Sequence, residues 1–245
     1  MGLTAVSAAF GSGRSAARLA RLLREQEVRS SNLRAPTIAF LTFFLVLVGA
    51  IAFGAPAHAR SAIYTVRAGD NLTVIARRFG TTVADLQRDN ALPSDLLRIG
   101  QKVAIVEPFA RGAIREPRWE RPARRLGAVL RPFGPYKKGR VLMPRTGTDV
   151  ACGVGEVVTA PAHGVVRFLG PMDGYGHLVI LDHGGGWATV LGPLDPSALA
   201  VDMGTAVLAG DRLGRVDEPV EEGPAYLHVE LRKDEKAVAP DRLHK

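Results

Sequence analysis

Residues 141–245 form a succession of short β-branched runs broken by glycine, and this feature narrows the fold more than any other. "EVVTAPAHGVVRFLG", "HLVILDHGGGWATVLG", "TAVLAGDRLGRV" and "AYLHVELRK" follow one another along the chain. Turn signals at intervals of about 8–12 residues predict an all-β sandwich or barrel. About 105 residues rich in Val, Leu and Ala are enough to bury one core. In the last run, strand alternation places Tyr226, His228 and Glu230 on one face and Leu227, Val229 and Leu231 on the other. A tyrosine, an imidazole and a carboxylate on one sheet face resemble half of a metal site.

The formal charge of +8 is distributed unevenly. Residues 1–60 carry +5, 61–106 carry +2, 107–140 carry +7, and 141–245 carry −6. The high pI therefore comes from the N-terminal and central segments, which argues against nucleic-acid binding by the folded C-terminal part. Cys152 is the only cysteine, so no intramolecular disulfide forms. Residues 37–54, "TIAFLTFFLVLVGAIAFG", are apolar and uncharged. An arginine-rich flank precedes them, and "APAHAR" follows with Ala57 and Ala59 in a small-x-small pattern. Residues 1–60 thus read as a leader that directs export to the periplasm. Cleavage after Ala59 and retention as an inner-membrane anchor both remain open.

Residues 61–106 read as strand, helix, helix, strand. Ile63–Val66 is a short β-run, and "RAGDN" supplies a turn. Asp70 or Asn71 can cap a helix whose Leu72, Ile75, Ala76 and Phe79 share one face, and Gly80 ends it. Thr81 or Thr82 then opens a second helix. The ordered matches in "YTVRAGDNLTVIARRFGTTVADLQRDN" and "LRIGQKV" resemble the LysM domain. That resemblance implies a small α+β (βααβ) fold that binds N-acetylglucosamine-containing glycans, chiefly peptidoglycan. It places the sugar beside Gly69, Asp70, Asn71 and Leu72 on one side and Leu97, Arg98 and Ile99 on the other.

Residues 107–140 contain five prolines and ten basic residues, and no apolar period lasts beyond one turn. The composition predicts a solvated tether. The alternative is a segment held by its charge on anionic lipid or on the acidic C-terminal domain.

The order of runs in 141–245 resembles the LytM-type domain of lysostaphin-like zinc metallopeptidases, which implies a mainly-β sandwich with a groove. In active members, His and Asp of an H-x-x-x-D motif and the second His of H-x-H hold the metal, and two further histidines assist the attacking water. Placed on this chain, H-x-x-x-D falls on "RTGTD", so Arg145 stands at the first ligand position and Asp149 at the second. Pro193 stands at one assisting position and Tyr226 at the other, while His228 keeps the third ligand position. Asp149 and His228 are then vestigial metal positions. No cofactor is expected, because arginine has no lone pair to give and a catalytic zinc needs three protein ligands.

The segments "GYGHLVILDHGGGWATVLGPL" and "YLHVELRKDEKAVAP" are similar to the degenerate branch of this family, the murein hydrolase activators of the EnvC and NlpD type. The resemblance implies a non-catalytic groove that activates a periplasmic N-acetylmuramoyl-L-alanine amidase. Its expected groove residues are Arg145, Asp149, Tyr175, Pro193, Tyr226, His228 and Glu230. A zinc endopeptidase with altered ligands, drawing on His163, His177 or His183, is one alternative. A wall-anchored scaffold for another envelope protein is the other.

Overall fold

The computed structural model describes residues 61–243, apart from 107, 108, 110–115, 139 and 221. The leader, with its apolar run 37–54 and Ala59, lies outside the described residues. Among those described, no helix is long and apolar enough to cross a membrane.

The N-terminal module has the expected order: β1 (Ala62–Thr65), α1 (Leu72–Phe79), α2 (Val83–Asp89) and β2 (Lys102–Ile105), with β1 and β2 antiparallel. Asn71 caps α1 by accepting the Val74 amide at 2.8 Å. Gly80 closes the helix at φ 62°, a left-handed conformation that glycine adopts without a Cβ clash. Leu72, Ile75, Ala76 and Phe79 are buried as the apolar period requires. They pack with Tyr64, Leu86, Val103 and Ile105 into one core.

The C-terminal part is built on a large antiparallel sheet. Its strands are β3 (Val129–Arg131), β6 (Thr148–Ala151), β8 (Gly164–Met172), β9 (Gly176–Gly184), β10 (Trp187–Gly192), β11 (Ala206–Val207), β13 (Tyr226–Lys233) and β14 (Lys236–Val238). The spatial order is β11-β8-β9-β10-β13-β6-β3, with β14 also paired to β13. Two further antiparallel pairs form separate two-stranded sheets: β4 (Gly134–Lys138) with β5 (Val141–Arg145), and β7 (Val157–Thr159) with β12 (Arg212–Arg215). Leu227, Val229 and Leu231 of β13 point into the main core with Val179, Leu181, Leu191 and Leu213. The opposite face of β13 is free to carry polar groups.

The structure departs from the expected tether over residues 116–138. Ala123 is buried and bridges to Val158, and Trp119 packs on the main core. Val129–Arg131 joins the sheet as β3, and Gly134–Lys138 forms half of a hairpin. Pro122 is compatible with this packing because it contributes its carbonyl. Pro122 O accepts the Thr159 amide at 2.7 Å, and the missing proline N–H is not needed there. A segment with so little apolar periodicity docks through single residues and main-chain bonds, which composition does not reveal.

The LysM-like module packs directly on the β-domain. Ile63 N donates to Gly204 O at 2.9 Å, and Ile63 makes a parallel bridge with Thr205. Val165 and Ala206 of the β-domain belong to the same buried cluster as the module's own core. Arg67 grips Asp211 with two nitrogens, at 2.6 and 2.5 Å.

Candidate functional site

The polar face of β13 meets its neighbours in a cross-strand row. Arg131 on β3 is in register with Asp149 on β6, Asp149 with His228 on β13, and His228 with Gly192 on β10. Pro193 follows Gly192 directly, through a cis peptide. Register alone therefore brings residues far apart in sequence onto one line.

Along that line the groups engage each other. His228 Nδ1 donates to Asp149 Oδ1 at 2.6 Å, and Arg131 Nε lies 2.6 Å from Asp149 Oδ2. The Arg131 guanidinium also sits 4.5 Å from the centroid of the Tyr226 ring. On its other side His228 Nε2 faces Glu230 Oε2 at 3.7 Å, too long for a hydrogen bond. Glu230 is fully buried, accepts the Thr146 hydroxyl at 2.7 Å and pairs with the buried Arg232. Arg232 in turn donates to the Glu235 carbonyl. Gly147 lies under the imidazole, where an added Cβ would come within 2.7 Å of Nε2 and 2.8 Å of Val229 O.

Aromatic rings lie beside the row. Tyr175 meets His228 edge-on with ring centroids 5.3 Å apart, and Arg145 lies 4.2 Å over the Tyr136 ring. Burial pushes the Tyr175 hydroxyl up to about 12, and the nearby carboxylates Glu230 and Asp149 add to it, so it stays protonated.

Charge within the row is set by competition between burial and pairing. Burial would neutralise His228, but its bond to Asp149 and the two adjacent carboxylates hold it up to about 9. Burial likewise opposes ionisation of Asp149. The hydrogen bond and charge of His228, with Arg131 and Arg145, hold that carboxyl below its usual range. Glu230 is held low against burial by His228, Arg232 and Thr146. The row is thus ionic at neutral pH, with both Asp149 oxygens and His228 Nδ1 engaged by protein groups.

The structure brings the expected groove residues Arg145, Asp149, Tyr175, Tyr226, His228 and Glu230 into one neighbourhood through these contacts. Pro193 is joined to it by register. Sequence reasoning missed Arg131, Thr146 and Arg232, and passed over Tyr136. Arg232 carried a signal, since alternation puts it on the same face as His228 and Glu230. Arg131 carried none, because it belongs to the proline-rich segment read as a tether. His183 has a separate place: Nδ1 lies 2.8 Å from His163 O and Nε2 2.8 Å from Thr189 Oγ1. Among the described residues, no group of three or more His, Cys, Asp or Glu is arranged to hold a metal ion.

In the N-terminal module, the two turns expected to hold a sugar come together through Gly100 N to Val66 O (2.8 Å) and Val66 N to Gln101 O (2.9 Å). Asp70 is committed to the fold: it accepts from Tyr64 (2.7 Å), the Arg67 amide (2.8 Å) and Arg78 (2.6 Å). Asn71 is committed to its cap, and the Leu72 side chain is core rather than surface. Leu97 is half-buried, whereas Gly69, Arg98 and Ile99 are exposed. Leu96 is 84% exposed beside them and was not singled out from sequence.

The fold is a βααβ module packed on a mainly-β domain, and each part matches a known domain. Residues 64–106 match the LysM domain and residues 143–240 match Peptidase family M23, so the chain carries both domains. The chain is 24% identical over 203 residues to the uncharacterized lipoprotein YgeR of Escherichia coli (strain K12), covering 74% of this chain and 80% of that one. It is 47% identical over 51 residues to N-acetylmuramoyl-L-alanine amidase XlyA of Bacillus subtilis (strain 168), covering 20% of this chain and 17% of the amidase. It is 34% identical over 115 residues to DD-carboxypeptidase/endopeptidase Mpg of Neisseria meningitidis serogroup B, covering 46% of this chain and 26% of that enzyme.

Proposed function

We propose that this chain is a non-catalytic, peptidoglycan-bound activator of a periplasmic N-acetylmuramoyl-L-alanine amidase. The observation that carries the reading is the closed row Arg131–Asp149–His228. M23-type chemistry calls for a divalent cation held by three lone-pair donors with an open water position. Here the first position is an arginine, Asp149 is bound by Arg131 and His228, and the His228 nitrogen facing Asp149 carries a proton. This donor set does not fit a divalent cation. Pro193 and Tyr226 leave no base where an attacking water would be assisted; a tyrosine hydroxyl is a poor base near neutral pH.

What remains is a groove of aromatic rings and guanidinium groups on a rigid sheet, a composition suited to protein recognition. In this reading the LysM domain binds peptidoglycan, with Gly69, Arg98 and Ile99 as its exposed contact candidates. The leader delivers the chain to the envelope, with 37–54 as its route to inner-membrane attachment if it is retained. The direct packing of the two modules replaces the tether, so glycan and groove are held in fixed relation.

Release of dye from labelled, purified cell wall tests the reading. The protein alone releases none, and it stimulates an amidase from the same envelope by tenfold or more. Metal analysis of the purified protein returns less than stoichiometric zinc. Stoichiometric zinc with cleavage of cross-linked muropeptides, lost in His228→Ala, establishes an endopeptidase instead. Inertness toward every amidase of the host, with a different protein recovered, establishes a scaffold.

A further inference from the structure

Three guanidinium groups and two carboxylates surround the groove floor. Arg131 pairs with Asp149 and Arg232 pairs with Glu230. Arg145 is left over. It is half-buried, stacks on Tyr136, and has no carboxylate partner among the described residues. Its charge is nonetheless felt at the groove floor, where it helps hold Asp149 ionised.

Stacking occupies only the face of a guanidinium. The five N–H donors lie in the guanidinium plane, so an arginine whose Cζ sits over a ring keeps donors for a planar, bidentate acceptor. The ring also fixes the fork's orientation before any ligand arrives, which lowers the ordering cost of binding. Tyr136 is itself held, because β4 pairs with β5 and places it opposite the buried Met143.

We propose that Arg145, stacked on Tyr136, is a carboxylate-binding site that receives an Asp or Glu side chain of the groove's protein partner. The inference rests on the partner-binding reading and names the chemistry of that partner's central contact. A neutral apolar peptide would leave the guanidinium desolvated and unpaired, a strong penalty at the centre of an interface. A basic segment would add repulsion to it. The same fork can also meet a carboxylate of a cell-wall stem peptide, so the two sources are tested separately.

The experiment uses the full chain with an amidase from the same envelope, reading binding by interferometry and activity by dye release. Arg145→Ala weakens binding about tenfold or more, and Arg145→Glu weakens it further. Arg145→Lys keeps the charge but loses the fork and falls between wild type and Arg145→Ala, while Tyr136→Phe keeps the stack and stays near wild type. Thermal unfolding of each variant within a few degrees of wild type shows that folding is intact. Binding of Arg145→Glu within twofold of wild type overturns the proposal.

If the wild type neither binds nor stimulates any amidase, the activator reading fails, and the site is judged by a second measurement. The Arg145 Nε–Hε NMR signal is followed while N-acetyl-aspartyl amide, its uncharged asparaginyl counterpart, or purified disaccharide-tetrapeptide is added. A saturable shift with the aspartyl probe alone supports the carboxylate site. No shift with any probe overturns it. A shift with the disaccharide-tetrapeptide but none with the aspartyl probe assigns the fork to the cell wall and overturns the protein partner.

Discussion

Two buried histidines flank β10, one near each end, and they are held in opposite charge states. His183 on β9 shares the core-facing side of its strand with Val179 and Leu181 and meets the edge of Trp119, with ring centroids 5.2 Å apart. Its partners are a carbonyl and a hydroxyl, and burial pushes it down to about 4. His228 on β13 lies on the other face of the sheet, is also buried, and is held up to about 9 against that burial by two carboxylates. Burial alone therefore does not decide the state of a core histidine; its partners do. Near the Trp187 end the sheet uses a neutral ring as structural filling. Near the Gly192 end it keeps an ionic row, whose cations are a protonated imidazole and a guanidinium.

Removing the anion that links that row tests the difference most severely. Asp149→Ala leaves His228 and Arg131 without the carboxylate between them. Breaking a buried pair in this way costs about 3–5 kcal/mol, and denaturant unfolding measures it. The matching change near the other end, Thr189→Val, removes one hydroxyl from a neutral ring and costs about 1–2 kcal/mol. Equal losses at the two sites would refute the assignment of charge to only one of them.

The pH dependence of stability separates the two sites by sign. His183 has a folded value below its ordinary one near 6.5, so the unfolded chain takes up the proton first. Its contribution is fully present above about 6.5 and falls by about 3 kcal/mol as pH drops toward 4. His228 is raised, so its contribution is fully present below about 6.5 and is lost as pH climbs through about 9. The depressed carboxyls of Asp149 and Glu230 add a further loss below the ordinary carboxylate range, as pH falls through their folded values. Thermal unfolding followed from pH 4 to pH 10 should show both limbs. His183→Gln should flatten the limb between 6.5 and 4, and His228→Gln the limb toward 9. A flat profile above pH 7 would mean that His228 is neutral in the fold.

Much of this was legible in the chain. The βααβ order and its caps follow from local rules: Asn71, Gly80 and the spacing of Leu72, Ile75, Ala76 and Phe79 act within a few residues of one another. The alternation in "AYLHVELRK" separated Leu227, Val229 and Leu231 from the polar face correctly. Arg131 was not legible, because strand β3 is only three residues long and draws its stability from pairing with β6. The expected tether failed for the same reason, since Trp119 and Ala123 dock by shape on surfaces made elsewhere in the sequence. Leu72 shows the reverse case: helical spacing marked it as core, and the family resemblance drew it toward the sugar surface.

Gly147 offers a narrower probe of the ionic site. An added methyl would press on the His228 ring and on the Val229 carbonyl, neither of which can move without breaking the Asp149 bond or the β13 ladder. Gly147→Ala should destabilise by about 1–3 kcal/mol through overpacking. It should also lower the His228 titration midpoint if the ring is pushed away from Asp149. Gly153, where an added Cβ meets nothing within 4 Å, provides the control, and its alanine variant should stay close to wild type.

The smallest expected effect falls on Thr146, a neutral residue beside the row. Thr146 donates its hydroxyl to Glu230 Oε2, the same oxygen that faces His228 across 3.7 Å. Thr146→Val keeps the shape and removes the donor, which costs about 1 kcal/mol. With one fewer partner, Glu230 relies more on Arg232 and His228, so the imidazole should become somewhat harder to deprotonate. NMR titration of His228 in Thr146→Val should therefore move its midpoint upward, by less than Gly147→Ala moves it downward. A downward shift would instead mean that Thr146 orients Glu230 toward the imidazole and that the two groups separate without it.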